Sequence, residues 1–379
     1  MLAIQYGSDA ENKRYTFDYD ANGQVACVTN HELNRTVRSE HDVCNRPMRI
    51  THMEGTSHIY TGEVTYDKYN NLKRFEEMVG PARSEYVTEF SYDEENKPTL
   101  LKYNDSTSDK VAYTYDALGR MVKRNVTVGG RSYDRMYSYV AGTASYTKEN
   151  ANDTIPTTAT TGLIASIVQP GGEFVYTYDA NGNITSVKQD GKFTNYAYDA
   201  LGQLIRVDDQ NDTTSGSTGT TWVYVYDNGG NIRSKKRYVY TDPNTEIASN
   251  LSAKETITFS YDTASWKDQL TAVNNKPIYY DKIGNPTQYG SNSDADKITY
   301  EWEKGRQLKK IVQAGKTVAF KYNENGLRIQ KVLNPDTASE VVTNYTLHGK
   351  NIVHMTQGSN NLHFFYDASN KPAIVEPPP

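Results

Sequence analysis

The sequence has 379 residues, carries a formal net charge of −5 and contains 36% hydrophobic residues. Its mean hydropathy of −0.75 and its scattered Lys and Arg residues exclude the basic surface that is typical of proteins binding nucleic acid or anionic membranes. There is no run of about 18 apolar residues to predict a membrane-spanning helix. The two cysteines, Cys27 and Cys44, are too few for a disulfide framework.

The aromatic content is carried by 31 tyrosines against 9 phenylalanines. Tyrosine suits sheets that have one buried and one wet face, because its ring packs while its hydroxyl reaches a polar partner. The chain begins with MLAIQYGSDAENKRY, which has a short apolar core and no basic leader. We therefore expect no signal peptide in this chain.

One short phrase recurs along the chain. It consists of an apolar residue, any residue, an aromatic residue, an acidic residue and, in most copies, Gly or Asn three positions later. Most neighbouring copies lie about 20 to 30 residues apart, which is typical of short structural repeats. Two worn copies are expected, one with His41 and Asp42 at the aromatic and acidic positions and one around Tyr345. The key aromatic residues are Tyr19, Tyr66, Tyr92, Tyr115, Tyr178, Tyr198, Tyr226, Tyr261, Tyr280, Trp302, Tyr322 and Tyr366.

Each copy of the phrase predicts a β-hairpin. In the clearest copy Phe174, Tyr176 and Tyr178 alternate with other residues, so the three rings share one face of an extended strand. Asp179 then opens a turn by accepting backbone N–H bonds. Gly182 supplies the positive φ of a type I turn with a bulge. The next copy repeats these roles at Tyr198, Asp199 and Gly202.

Two stretches interrupt the repeat. Residues 141–162 are rich in Thr, Ala and Asn without periodicity, and residues 208–221 are rich in Asp, Thr, Ser and Gly. The same repeat resumes after each stretch, so we interpret both as insertion loops rather than domain linkers. No stretch shows a sustained helical period. The sequence therefore predicts a single all-β domain over residues 1–379, built from repeated antiparallel β-hairpins.

The phrase Y-x-Y-D-x-x-G-[RNQ]-[apolar] resembles the YD repeat of Rhs proteins, of wall-associated Rhs-like proteins, of the C component of insecticidal Tc toxins and of animal teneurins. The copy YTYDANGNITSV is close to the family consensus, and ITYEWEKGRQLKKI with FKYNENGLRIQKV resembles the family's last repeats. The resemblance runs from Phe17 to Val375. It implies that the hairpins coil into a spiral β-sheet, a hollow shell. In Rhs and Tc proteins this shell holds a C-terminal toxin, and in teneurins it carries adhesion surfaces.

The resemblance also implies partners and a location. The partners would be the remainder of a longer Rhs-type polypeptide or its toxin cargo, with self-association through open sheet edges as a further expectation. The location would be secreted or at a bacterial cell surface. The family's D-P-x-G-x motif, whose aspartates release the toxin, is absent, because neither Asp242-Pro243 nor Asn334-Pro335 fits it. Autoproteolysis and toxin activity are therefore carried over to no residue of this chain.

The recurrent acidic residues invite comparison with the paired carboxylates of glycosidases and aspartic proteases. A catalytic pair occurs once, whereas these residues repeat in one local setting, so we interpret them as turn caps. No phosphate-loop, dinucleotide or nucleophile-elbow motif is present, and we expect no cofactor and no catalytic residue. We also expect no metal site, because the spacing of the Cys and His residues fits no ligand pattern. These residues are Cys27, His31, His41, Cys44, His52, His58, His348, His354 and His363.

The leading interpretation is a non-enzymatic scaffold, a segment of a shell whose structural residues are the repeated aromatic, Asp and Gly positions. The tyrosine stripe is interpreted as a core ladder rather than as a sugar-binding platform. The alternative is a cell-surface adhesion or carbohydrate-binding module, for which Trp222 and Trp266, beside predicted loops, are candidate contacts. A hydrolase is the least favoured function, because no pair of carboxylates is seen to converge outside the repeat.

Overall fold

A computed structural model describes residues 2–4, 14–106, 108–142, 158–212, 219–248 and 250–376. Within these ranges all regular structure is β-strand, and consecutive strands pair antiparallel. The prediction of an all-β fold made of antiparallel hairpins is therefore confirmed. In these ranges no helix has the length and apolar character needed to cross a membrane.

The strands are numbered β1 to β31 in chain order. The first group comprises β1 (Leu2–Ile4), β2 (Tyr15–Tyr19), β3 (Val25–Asn30), β4 (Arg35–His41), β5 (Pro47–Glu54), β6 (Ser57–Tyr66), β7 (Leu72–Val79), β8 (Ser84–Tyr92), β9 (Pro98–Tyr103), β10 (Lys110–Tyr115), β11 (Met121–Val128) and β12 (Arg131–Tyr139). The second group comprises β13 (Ile164–Gln169), β14 (Gly172–Tyr178), β15 (Ile184–Gln189), β16 (Lys192–Tyr198), β17 (Leu204–Asp209), β18 (Thr220–Tyr226), β19 (Ile232–Val239), β20 (Glu255–Tyr261), β21 (Leu270–Val273), β22 (Lys276–Tyr280) and β23 (Pro286–Tyr289). The third group comprises β24 (Ile298–Glu303), β25 (Gln307–Gln313), β26 (Lys316–Tyr322), β27 (Arg328–Leu333), β28 (Val341–His348), β29 (Asn351–Gln357), β30 (Asn360–Tyr366) and β31 (Pro372–Glu376).

The register of the hairpins shows one repeated irregularity. In the β14–β15 hairpin Tyr176 faces Val187 and Tyr178 faces Ile184, with a β-bulge just before Tyr178. The same bulge precedes the key residue of most other repeat hairpins, and it also precedes His41 in the first worn copy. In the second worn copy the bulge precedes Leu347. In the copy expected around Tyr345, the key position is therefore Leu347, which lacks the aromatic ring of the other copies.

The contacts of the chain group into two compact units. Unit 1 comprises Met1–Tyr113, Val126–Ser132 and Ile298–Pro379, and unit 2 comprises Thr114–Asn125 and Tyr133–Lys297. The hairpin repeat is present in both units. The single domain over residues 1–379 stays a prediction, because these contact groups do not establish which parts fold independently.

Unit 1 has two layers, in which strands from the N-terminal hairpins pack on strands near the C-terminus. The Tyr60 hydroxyl lies 3.2 Å from Nδ1 of His348, and the Tyr103 hydroxyl donates to the carbonyl of Tyr366 at 3.1 Å. Apolar side chains from both layers are buried between them. The most buried are Tyr60, Tyr86, Leu101, Tyr103, Val111, Val353 and Phe365. The largest core of the chain therefore depends on segments far apart in sequence.

Unit 2 buries its aromatic side chains less completely. Among its described apolar residues, Ala159 is the one that is almost fully buried. The rings of Tyr176, Tyr178 and Tyr196 are half-buried. The tyrosine rings expected to form a core ladder are therefore partly exposed to solvent in unit 2, because its strands contact mainly their neighbours within the sheet.

The structure describes the ends of the two predicted insertion loops and the strands that flank them. Residues 143–157 and 213–218 lie outside the described residues. The predicted loop 208–221 is too long at both ends, because β17 continues to Asp209 and β18 begins at Thr220. The strands on either side of each insertion pair directly, β12 with β13 and β17 with β18. The repeat ladder therefore continues across both insertions.

Candidate functional site

Most of the turns that follow a key aromatic residue are capped by a side-chain oxygen, usually that of an Asp. Oδ1 of Asp179 accepts the backbone N–H groups of Asn181 and Asn183, each at 2.9 Å, and Oδ2 accepts the side-chain amide of Asn183. Gly182 closes the turn with φ +82°. The hydrogen bonds from Asn183 and the turn backbone lower the pKa of the Asp179 carboxyl, so it caps the turn as an anion.

The same cap recurs along the chain. In each case the side-chain oxygen accepts the backbone N–H groups two and four residues later. A single geometry repeated this often has the character of a structural device, whereas a catalytic pair needs two carboxylates that converge on one substrate. The capping residues besides Asp179 are Asp20, Asp42, Asp67, Asp93, Asp116, Asp199, Asp227, Asp281, Asn323 and Asp367.

The key tyrosines form a second repeated device, which we call the tyrosine clamp. The Tyr198 hydroxyl donates to the carbonyl of Ile184 at 2.9 Å, and Ile184 is the first residue of the return strand in the preceding hairpin. The hydroxyl therefore ties each hairpin to the one before it. The clamp tyrosines include Tyr66, Tyr92, Tyr139, Tyr178, Tyr198, Tyr226, Tyr261, Tyr280, Tyr322 and Tyr366.

Sequence reasoning missed one member of this set. Tyr139 donates to the carbonyl of Met121 at 2.8 Å, but the next residue is Val140 rather than Asp. An aromatic residue two positions earlier, Tyr137, was the available signal.

The remaining predicted key residues occupy the same place in the sheet. Tyr19 ends β2 and is 42% exposed, and Tyr115 ends β10. Trp302 faces Leu308 after the same bulge that precedes the tyrosines. These positions are therefore equivalent in backbone geometry to the clamp tyrosines.

We expect Tyr198→Phe to lower the free energy of unfolding by about 0.5–1.5 kcal/mol, because the Ile184 carbonyl loses its hydroxyl donor while the ring packing is kept. Urea unfolding followed by circular dichroism measures this loss. Tyr279→Phe is the matched control, since Tyr279 is 48% exposed and lies beside a clamp position rather than on one. Equal stability of wild type and Tyr198→Phe would contradict the clamp's contribution.

A buried polar cluster lies between the layers of unit 1, and we call it the polar seam. Its members are Tyr60, Glu77, His348, His354 and His363. The Tyr60 hydroxyl donates to Oε1 of Glu77 at 2.9 Å, and Nε2 of His363 lies 3.4 Å from Oε2 of the same carboxylate. The imidazole of His363 is fully buried and stacks on Tyr86 with 3.6 Å between the ring centroids.

Burial sets the charge state of the seam and its neighbours. Desolvation lowers the pKa of His354 to about 4 and also lowers the pKa of His348. Beside the seam, desolvation and the adjacent Arg35 guanidinium lower the pKa of His52 to about 3. Desolvation and the Glu77 carboxylate raise the pKa of the Tyr60 hydroxyl well above its usual value. These three imidazoles are therefore neutral at pH 7.

Sequence reasoning placed these histidines without recognising their cluster. His354 faces His363 across β29 and β30. In the described part of the chain no group of three His, Cys, Asp or Glu residues has a geometry that suits a metal ion. Tyr60 and Tyr86, each six residues before a key tyrosine, were the available signal, because an even spacing puts them on the same face of long strands.

The two candidate contact tryptophans have different surroundings. Trp222 lies in β18, half-buried, with Nζ of Lys235 at 4.0 Å from its ring. Trp266 lies in the loop before β21 and is 52% exposed. Its ring lies so close to Gly284 that a Cβ there would be 2.7 Å from it. Trp266 is therefore the more accessible of the two.

Capped turns joined by tyrosine clamps define a β-hairpin repeat protein. A family model described as RHS Repeat matches residues 178–214, which include the two clearest copies of the phrase. This match agrees with the resemblance of the recurring phrase, which continues on both sides of the matched segment, to the YD repeat.

Two curated relatives match part of the chain. The "tRNA nuclease WapA" of Bacillus subtilis (strain 168) is 34% identical over 149 residues, which is 38% of this chain and 5% of the relative. The "tRNA(Glu)-specific nuclease WapA" of Bacillus subtilis subsp. natto (strain BEST195) is 38% identical over 100 residues, which is 25% of this chain and 4% of the relative. The chain therefore spans a twentieth or less of the length of these relatives.

A solved structure shares the fold. The crystal structure of "TcdB2-TccC3 without hypervariable C-terminal region" is similar over 97% of this chain and 21% of that chain, with 13% sequence identity and a TM-score of 0.56. At this identity the similarity establishes the fold and says nothing about ligands. It agrees with the architecture expected for YD repeats.

Proposed function

We propose that this chain is a non-enzymatic scaffold, a stretch of β-sheet wall that belongs to a longer Rhs-type polypeptide and encloses another part of it. The observation that carries the proposal is the tyrosine clamp, because the same hydroxyl-to-carbonyl bond joins hairpin after hairpin in both units. A device that repeats without variation serves to extend a sheet. It provides no single position at which a substrate would be transformed.

The relatives' names support a longer polypeptide rather than an activity for this stretch. The two WapA proteins are named as nucleases, but the matched region covers 5% or less of each of them. In this chain the repeated carboxylates are engaged as turn caps. We therefore propose that the wall carries no nuclease activity of its own, and that secretion or display at the cell surface follows the family.

Self-association through a sheet edge is part of the proposal. Strand β31 pairs with β30 on one side, and its other edge faces no strand within the described ranges. An uncovered edge presents unpaired N–H and C=O groups to a second chain. Val375 on this strand is 48% exposed and offers an apolar side chain for such pairing.

We expect the mass in solution, measured by light scattering over a concentration series, to rise with concentration, and negative-stain images to show rings or stacked bands with a lumen. Val375→Lys is expected to raise the concentration needed for association by about tenfold or more, since charge on an edge strand opposes pairing. Val239→Lys is the matched control, because Val239 is 42% exposed but lies on β19 within the sheet. A monomer at every concentration, without a lumen, would contradict the wall.

A second candidate function is carbohydrate binding, favoured by the exposed ring of Trp266. Exposed aromatic rings stack on the apolar faces of sugars and mark contact sites. Binding on a glycan array that Trp266→Ala abolishes would support this function. Trp222→Ala, at the half-buried ring under Lys235, is the comparison variant. If the wild-type chain binds nothing on the array, carbohydrate binding is contradicted and the scaffold function is the one that stays.

A further inference from the structure

A cavity of about 580 Å³ lies between the two layers of unit 1. Its size falls within the range of small-molecule sites, which is about 300–1,000 Å³. One side is formed by residues between Leu33 and Ser84, and the other by residues of strands β27 to β30 with the end of β26. Apolar side chains such as Ile59, Val79 and Ile329 line part of the wall, while Arg35 and His354 line another part. The cavity therefore combines apolar surface with a few polar groups.

Arg35 is the most unusual of these polar groups. Its side chain is 6% exposed, and one Nη donates to Nδ1 of His52 at 2.9 Å. Its Nε has no hydrogen-bond partner among the described residues, and no carboxylate in the described ranges lies within ion-pair distance of it. A buried charge without a partner is costly, and an unsatisfied N–H adds to that cost. The neutral imidazole of His52 accepts a hydrogen bond but supplies no negative charge.

His354 adds a second unsatisfied group to the same cavity. Its side chain is 7% exposed, and its Nδ1 has no hydrogen-bond partner in the described part of the chain. Two unsatisfied and buried polar groups that line one cavity are the pattern left by a missing ligand. Ordered water is the competing occupant, since water also satisfies buried polar groups.

The charged residues around the cavity indicate which class of ligand it would bind. Lys321 and Glu54 also line it, and both are exposed, so they mark its wetter part. Glu324 and Glu54 act on Arg35 electrostatically, but neither forms an ion pair with it. Among the charged residues that line the cavity, Arg35 is therefore the buried one. The planar guanidinium, with its free Nε–H, matches a carboxylate better than a spherical anion.

We propose that this cavity binds a small organic carboxylate, with Arg35 donating to the carboxylate, His354 hydrogen-bonding a second polar group, and the aliphatic wall covering the ligand's carbon skeleton. This site is independent of the scaffold function, because the tyrosine clamps do not line it. Inorganic phosphate shares the negative charge but lacks a carbon skeleton. An organic carboxylate therefore contacts both the polar and the apolar wall, whereas phosphate contacts the polar wall alone.

The test is calorimetric titration of the full chain with acetate, succinate, citrate and glutamate, and separately with inorganic phosphate, at matched ionic strength. At least one carboxylate is expected to bind and to raise the melting temperature, and Arg35→Met is expected to weaken that binding about tenfold or more. Arg38→Met is the matched control, because Arg38 is an exposed arginine on the same strand and does not line the cavity. His354→Gln, which keeps a hydrogen-bonding group, provides a second variant if Arg35→Met fails to fold.

The outcomes separate cleanly. Carboxylate binding that weakens in Arg35→Met or His354→Gln but not in Arg38→Met supports the site. Binding that none of these variants changes overturns it, because the carboxylate would then sit elsewhere. Binding of phosphate without any carboxylate overturns the assigned ligand class. No binding of any probe overturns the proposal in favour of ordered water.

Discussion

Replacement of Phe365 by alanine is expected to lower the free energy of unfolding of unit 1 by about 3–5 kcal/mol. The Phe365 side chain is 1% exposed, and its ring contacts those of Tyr86, Tyr103 and His363. Truncation removes apolar burial and leaves a cavity between two layers that are joined mainly by side chains. The collapse of either layer into this space is restrained by the hydrogen bonds within each sheet.

Urea unfolding followed by tyrosine fluorescence and circular dichroism measures this loss. Phe193→Ala is the matched control, because Phe193 is 38% exposed at the start of β16 in unit 2. We expect the control to cost about 1 kcal/mol or less, since surface truncations leave no cavity. A loss of similar size in both variants would show that the layers of unit 1 do not depend on Phe365.

Acid is expected to destabilise unit 1 through its buried histidines. His52 and His354 have pKa values lowered to about 3 and about 4, and the pKa of His348 is lowered as well. Each binds a proton near pH 6.5 when unfolded, so the unfolded state takes up more protons below that pH. Stability is therefore complete above about pH 6.5 and falls as the pH drops toward the folded-state values.

At about 1.4 kcal/mol for each pKa unit, the loss by about pH 4.5 is expected to reach roughly 3–5 kcal/mol. The groups facing these imidazoles are Arg35 beside His52 and the Glu77 carboxylate beside His348. Arg35 opposes protonation of His52, whereas Glu77 partly favours protonation of His348. The carboxyls of Asp179 and Asp227 behave differently, because their pKa values are lowered from 3.8 and they cost stability only below that pH.

The measurement is a set of urea midpoints between about pH 7.5 and pH 4.5 at constant ionic strength. His354→Asn is expected to make the decline shallower, since one buried imidazole no longer takes up a proton on unfolding. His31→Asn is the matched control, because His31 is exposed and lies outside the polar seam. Midpoints that stay level down to about pH 4.5 would contradict the buried, neutral state of the His52, His348 and His354 imidazoles.

Local chemistry allowed the hairpins to be predicted from sequence. The cap of Asp179 involves residues within four positions, and the positive φ of Gly182 depends on the turn alone. The alternation of Tyr176 and Tyr178 likewise fixes which side chains share a face. The all-β class and the hairpin repeat followed from these short-range rules. Tyr139 was not predicted as a key residue, because its turn lacks the acidic residue that marks most other copies.

The tertiary structure alone decided how deeply each ring is buried. The sequence treats Tyr178 and Tyr60 alike, as aromatic residues on alternating strands, but Tyr178 is half-buried and Tyr60 is fully buried. The difference arises because a second layer covers Tyr60, where His348, 288 residues away in sequence, reaches its hydroxyl. No spacing along the chain encodes which distant strand provides that cover.

The sequence by itself determined the repeating unit, its capped turn and the face that carries the tyrosines, because each depends on neighbours within one hairpin. Only the tertiary structure decided the tyrosine clamp's acceptor, the polar seam around Glu77 and the cavity lined by Arg35 and His354. The physical reason is that desolvation and unmet hydrogen bonds are properties of surroundings, and surroundings are assembled from separate parts of the chain.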